Sequence, residues 1–194
     1  MALVLNGSGT IQSDDITLSG NANVTGAFAV TGDMGIAAAD LPTGSILQVV
    51  STTKTDTFAT NPGSTWIDVT GLSVSITPSS SSNKVLIQIS ISGGGQTASN
   101  LVHFRLVRGS TVIYAGDTAG SRASGFAAAI DSDANTTEHT SGIFLDSPST
   151  TSATTYKIQT YSNGTVYVNR SPTDTDNVNR NRSASTILVM EVAG

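Results

Sequence analysis

The residues able to do chemistry are few. The chain holds two histidines, His103 in "LVHFRLV" and His139 in "TTEHTSG". A serine nucleophile needs a histidine held by an acid. Serines are too numerous here for closeness in sequence to select one, and the Gly-x-Ser-x-Gly elbow is missing. His103, set between apolar neighbours, reads as a strand residue. Carboxylates pair at Asp14–Asp15, Asp131 with Asp133, and Asp174 with Asp176. Alternating acids suit calcium, but the glycine and glutamate of a calcium-binding helix–loop–helix are not at their positions. Polar loop tips account for these acids. Without cysteine there is no disulfide, thiol catalysis or Cys-ligated metal. The sequence therefore calls for no enzyme, no metal and no other cofactor.

The sharpest recognition cluster is "NVNRNRS", where Asn179, Arg180 and Arg182 follow Arg170. It reads as a loop facing an anionic or sugar partner, or as a solvated loop or arginines paired across a subunit interface. Trp66, the single tryptophan, is able to stack on a sugar. In a strand such as "TWIDV" it reads instead as core or trimer interface. "GFAAAI", Gly125 to Ile130, is a small apolar patch that would face a neighbouring chain in an oligomer. The net charge of −5 excludes nucleic acid as an expected partner, since phosphate binding needs a cationic surface.

The elements that must carry these residues read as strands. Only 12% of residues are charged, while Val, Ile and Thr are frequent, the composition of an all-β protein with polar, uncharged loops. Strand signals fall at "SILQVVS" (45–51), "TWIDVTGLSVSIT" (65–77, broken at Thr70–Gly71), "NKVLIQISIS" (83–92) and "LVHFRLVRGSTVIYAG" (101–116). They continue at "SGIFLDS" (141–147), "TTYKIQTYSNGTVYVN" (154–169) and "ASTILVMEV" (184–192). Hairpin turns are expected at Arg108–Gly109–Ser110 and at Asn163–Gly164. Loops are expected over 52–62, 93–100, 118–138 and 171–183. Roughly eight to ten strands in about 150 residues is the count of a β-sandwich.

The first part of the chain differs. From Ile16 to Ile36 every even position is apolar or glycine, and the odd positions are mostly polar. This is extended chain with one buried face. A glycine recurs every six residues, at Gly20, Gly26 and Gly32. A single ribbon cannot bury its own face, so packing between identical chains about one axis is expected. Leu3, Leu5, Ile16, Leu18, Val24, Phe28, Val30 and Met34 are the predicted packing and anchoring residues. "IAAADLPTG" (36–44) reads as a connector with one helical turn over 37–40. The division is an N-terminal attachment arm, 1–43, and a C-terminal domain, 44–194. No apolar run reaches the length of a membrane span, so no membrane is expected. "MALVLNGSGT" lacks the basic start of a secretory signal.

"GSILQVVS", "TWIDVTGLSVSITPSSSSNKVLIQISISGGG" and "FRLVRGSTVI" together resemble a domain of tailed bacteriophages. That domain is similar to the jelly-roll head of the C1q and tumour-necrosis-factor class. "MALVLNGSGTI" resembles the opening of fibre-like proteins of such phages. The resemblance implies a jelly-roll β-sandwich after an extended β-repeat arm, intertwined in a homotrimer. It implies a non-enzymatic virion surface protein, made in the host cytoplasm. The arm would meet other virion proteins of capsid or tail, and the knob a host-surface glycan or receptor. An arm of some forty residues is short for a tail fibre, so a capsid decoration protein that stabilises the head stands as the alternative.

Overall fold

A computed structural model describes residues 41–96, 101–129 and 134–194. These residues form eleven strands: β1 (Ile46–Lys54), β2 (Phe58–Thr60), β3 (Ile67–Ile76), β4 (Lys84–Gly95), β5 (Val102–Arg108), β6 (Thr111–Tyr114), β7 (Ala127–Ala129), β8 (Glu138–Asp146), β9 (Thr154–Tyr161), β10 (Val166–Val168) and β11 (Ser185–Val192). Among the described residues no helix is long and apolar enough to cross a membrane. Residues 1–40, which hold nearly all of the arm and the connector turn, lie outside the described residues.

All pairings are antiparallel. β4 is paired along one edge with β8 and along the other with β11, and β11 pairs on with β1. The glycine end of β4, Gly93–Gly95, pairs with β10, which carries β2 on its far edge. The second sheet runs β3–β9–β5, with β6 and β7 sharing the outer edge of β5. The chain passes back and forth between the sheets: β4 and β8 in the first, β5 and β9 in the second. The first and last long strands, β1 and β11, lie side by side. Four-strand sets β8–β4–β11–β1 and β3–β9–β5–β6 are the jelly-roll arrangement. The protein is an all-β sandwich.

Alternation explains the core. Val85, Ile87, Ile89 and Ile91 of β4 are at most 3% exposed, as are Ile187 and Val189 of β11. They meet Val69, Leu72, Phe104, Tyr156 and Ile158 from the second sheet in one cluster. At one flank the rings of Tyr114, Phe126 and Phe144 stack at 5.0 and 5.1 Å. Gly142 leaves the space they occupy, since a Cβ there would stand 3.1 Å from both Phe126 and Tyr114. Phe126 and the alanines after it are thus committed within the chain: the ring is packed on the core, and Ala127–Ala129 pair with β5. The patch expected to face a neighbouring chain thus contributes Phe126 and Ala127–Ala129 to the sandwich, and Ile130 lies outside the described residues.

Three other expectations change. "TWIDVTGLSVSIT" is one strand with an irregularity between Asp68 and Ser73, where Gly71 takes φ +87°. Asn163–Gly164 does not close a hairpin, because β9 pairs with β3 and β5 while β10 pairs with β4 and β2. The turn carries the chain from one sheet to the other, and the Gly164 amide donates to Ser162 Oγ. The loops expected at 52–62 and 118–138 hold the short strands β2 and β7, formed by residues without alternation of their own. The turn after Arg108 is a hairpin as expected.

A buried carboxylate ties the chain's end to the β3–β4 turn. Glu191 Oε1 accepts from the Ser79 amide, Ser79 Oγ and Asn83 Nδ2, and Oε2 accepts from Gln48 Nε2. Burial alone would raise its pKa. The bonds from Asn83, Gln48 and Ser79 outweigh that and hold it below the ordinary 4.5. The folded pKa is the lower one, so this stabilisation is fully present at neutral pH and is lost as pH falls through and below that region. Glu191→Gln sets one amide donor against another. Urea unfolding is expected to show a loss of about 1–3 kcal/mol at neutral pH, and a shallower decline of stability below pH 4.5 than the wild type shows.

Candidate functional site

The eight predicted arm residues, Leu3 to Met34, lie outside the described residues, as do Asp14, Asp15, Asp131 and Asp133. The arginine loop is described. Arg170 and Arg182 form an isolated bridge across its base. Both reach Asp174, Arg170 at 3.2 Å and Arg182 more closely. Arg170 also lies over the Tyr167 ring, 4.5 Å from its centroid. Two of the three predicted ligand arginines are therefore engaged inside the loop. Asn179 donates its amide to Asn177 Oδ1. Arg180 differs: its Nε is buried with no hydrogen-bond partner. It lines an open cavity of about 320 Å³ with Asp174, Asp176 and Arg182. Among the described residues no three His, Cys, Asp or Glu side chains cluster to hold a metal.

Two broad surfaces flank the sandwich. The outer face of the first sheet carries an apolar row across four strands: Leu145 pairs with Leu86, Leu86 with Met190, and Met190 with Val49. The next row is Ile143, Gln88, Leu188 and Ser51, and the third is Ser141, Ser90, Thr186 and Thr53. Ile143 is 64% exposed, Val49 56% and Leu145 49%. These three rows contain no Asp, Glu, Lys or Arg. A groove of about 300 Å³ runs among Gln88, Ser90, Ile143 and Leu188. His139 lies at the polar end, where its Nε2 shares a 3.3 Å hydrogen bond with Ser90 Oγ. Large apolar side chains left in water on a sheet face cost free energy unless something covers them.

The outer face of the second sheet is aromatic and polar. Arg105 lies over Trp66 at 4.2 Å, and both its Nε and Nη2 donate to Gln159 Oε1. Gln159 Nε2 donates to Asp68 Oδ1, whose other oxygen accepts from Lys157. Burial would raise the Asp68 pKa, but Lys157 and Gln159 hold it below the ordinary carboxylate range. The Tyr161 ring lies 5.4 Å from Trp66, and His103 lies 6.0 Å from Tyr161. Burial lowers the His103 pKa, which leaves a neutral imidazole at pH 7. Trp66 is thus a surface ring and not part of the core cluster.

Sequence reasoning missed the apolar face, though a signal was present. "SGIFLDS" and "STILVMEV" are apolar on both alternation phases, the pattern of a strand covered on both sides. It missed the grouping of Trp66 with Arg105, Tyr161 and His103, which depends on strand order.

No protein-family model matches the chain, and no curated protein matches it. Among solved structures it is similar to the tripod (BppUct-A-L) from the baseplate of bacteriophage Tuc2009. The identity is 14%, over 95% of this chain and 84% of that one, with a TM-score of 0.25.

Arg105→Ala is expected to replace a guanidinium by water on one face of Trp66. Because Trp66 is the single tryptophan, its fluorescence is expected to shift to the red. Stability should fall by about 1 kcal/mol. Emission spectra and urea midpoints check both.

Proposed function

We propose that the chain is a non-enzymatic structural protein of the bacteriophage particle surface, a homotrimeric fibre or knob. The observation that carries this reading is the uncharged apolar face of β8–β4–β11–β1. Such a face suits burial against copies of itself. Its three middle rows hold no charge to desolvate, Lys84 standing at their edge, and they supply the kind of apolar area that permanent interfaces bury. The trimer, and its place on a phage, come from the resemblance of "GSILQVVS" and the strands after it to trimeric phage heads. Residues 1–43 are the proposed attachment arm, with Leu3, Leu5, Ile16, Leu18, Val24, Phe28, Val30 and Met34 packing between chains or onto other virion proteins. The domain from residue 44 is the proposed knob. Its Ser-, Thr- and Asn-rich loops suit a host-surface glycan or receptor, which three chains would engage with added avidity.

Light scattering on the purified full chain tests the reading. A trimer has three times 19.7 kDa, about 59 kDa. Ile143→Asp puts a charge on the exposed face without touching the core, and is expected to give a folded species of 19.7 kDa. A wild-type monomer, or a trimer indifferent to Ile143→Asp and to Leu188→Asp, would sink the proposed interface. Antibody labelling of particles against labelling of host cells by the isolated protein then separates attachment from the capsid-decoration alternative.

A further inference from the structure

We infer that the cavity beside Tyr161 and His103 is a seat for one uncharged pyranose ring of a saccharide. It deepens the glycan part of the proposed function and rests on that reading for its biological role, though not for its chemistry. The cavity measures about 250 Å³ and is lined by Leu101, His103, Ser121, Ala123, Tyr161 and Asn163. That is slightly below the size of pockets for drug-sized ligands, roughly 300–1,000 Å³, so one ring fits and a nucleotide cofactor does not.

Its lining has no formal charge. Tyr161 and Ser121 offer hydroxyls, Asn163 an amide and His103 a neutral imidazole. Each of these groups both donates and accepts, as sugar hydroxyls do. Leu101, Ala123 and the two rings supply apolar contact for the C–H face of a pyranose. An acidic sugar would find no cation lining the cavity. An apolar peptide side chain would fill the space but leave the hydroxyls and the amide without partners, which costs binding energy.

The aromatic wall is braced from behind. Tyr161 leans on Trp66, Trp66 lies under Arg105, and Arg105 is held by Gln159 and through it by Asp68 and Lys157. The opposite wall comes from the β6–β7 connection. That segment is pinned where Gly116 donates its amide to the Gly125 carbonyl and Ser124 Oγ to the Asp117 carbonyl. A wall held before the ligand arrives spares part of the ordering cost of binding.

The experiment is saturation-transfer NMR on the full chain. The probes are methyl glycosides of neutral hexoses and N-acetylhexosamines, sialic and uronic acids, and 4-methylphenol as a tyrosine side-chain mimic. At least one neutral glycoside is expected to receive saturation, strongest on its ring C–H protons. Tyr161→Ala should abolish the transfer. Asn163 sits exposed in a turn, so Asn163→Ala keeps the fold and should weaken binding roughly tenfold. The idea is overturned by no transfer to any neutral glycoside, or by transfer that neither variant changes. It is also overturned by preference for 4-methylphenol, or by preference for acidic sugars lost in Arg180→Ala. Light scattering on the same sample separates the two readings. A trimer without sugar binding removes this site alone, and a sugar-binding monomer removes the trimer alone.

Discussion

β4 is the strand on which the structure depends. It is hydrogen-bonded along both edges, to β8 on one and to β11 and β10 on the other. Its inward residues Val85, Ile87, Ile89 and Ile91 form the middle of the core. A strand fixed on both edges and one face has a single side left, and there it shows Lys84, Leu86, Gln88 and Ser90. A slip of one residue would bring Gln88 into the core and send Ile87 to the surface. The register that buries the isoleucines is therefore the one that builds the outer rows, and the apolar face is a consequence of the same alternation.

Charge is arranged so that the middle of the first sheet stays neutral. Arg108 reaches Asp146 with both carboxylate oxygens in range, and Tyr156 donates to the same carboxylate from the core. Burial and that bond push the Tyr156 phenol far above its ordinary pKa, so it remains a donor. Lys54, itself buried, ends on Asp56, and its neighbour Asn169 donates to the Lys54 and Asp56 carbonyls. These pairs satisfy polar groups at the sandwich rim, where leaving one unpaired costs more than the pair contributes. With so few charges in the chain, pairing at the rim leaves the middle of the first sheet neutral.

The fold class was legible in the sequence because alternation is local. Strands β1, β3, β4, β5 and β9 carry it within their own residues, β8 and β11 stand out as apolar runs, and Thr70–Gly71 marked the irregularity of β3. What alternation cannot state is which sheet a strand joins. Asn163–Gly164 has the composition of a hairpin turn, yet Tyr161 ends in one sheet and Val166 begins in the other. β2 and β7, three residues each, exist only because β10 and β5 offer free edges. The arginine loop was legible as a cluster, but the role of its members was not. That Asp174 gathers Arg170 and Arg182 while Arg180 stays apart follows from loop conformation. The aromatic site was invisible for a related reason: Trp66, His103 and Tyr161 come from three segments, which adjoin only through the order β3–β9–β5.

The two surfaces lie on opposite sides of one sandwich, and this constrains what they do together. Sheets in such a sandwich stack about 10 Å apart, so a copy seated on the first sheet does not cover the second. Association through β8–β4–β11–β1 therefore leaves Trp66, Tyr161 and His103 in water on every copy. The reverse assignment fails on chemistry. The second sheet's outer face holds Arg105, Asp68 and Lys157, which would have to be desolvated in a permanent interface. The first sheet's rows offer a sugar no aromatic ring and, around Ile143 and Leu145, few hydrogen-bonding groups. The proposed trimer contact therefore fits the first sheet, and the proposed ligand site the second. A trimer closed through the first would carry three outward aromatic sites, the arrangement in which weak single contacts add to useful avidity.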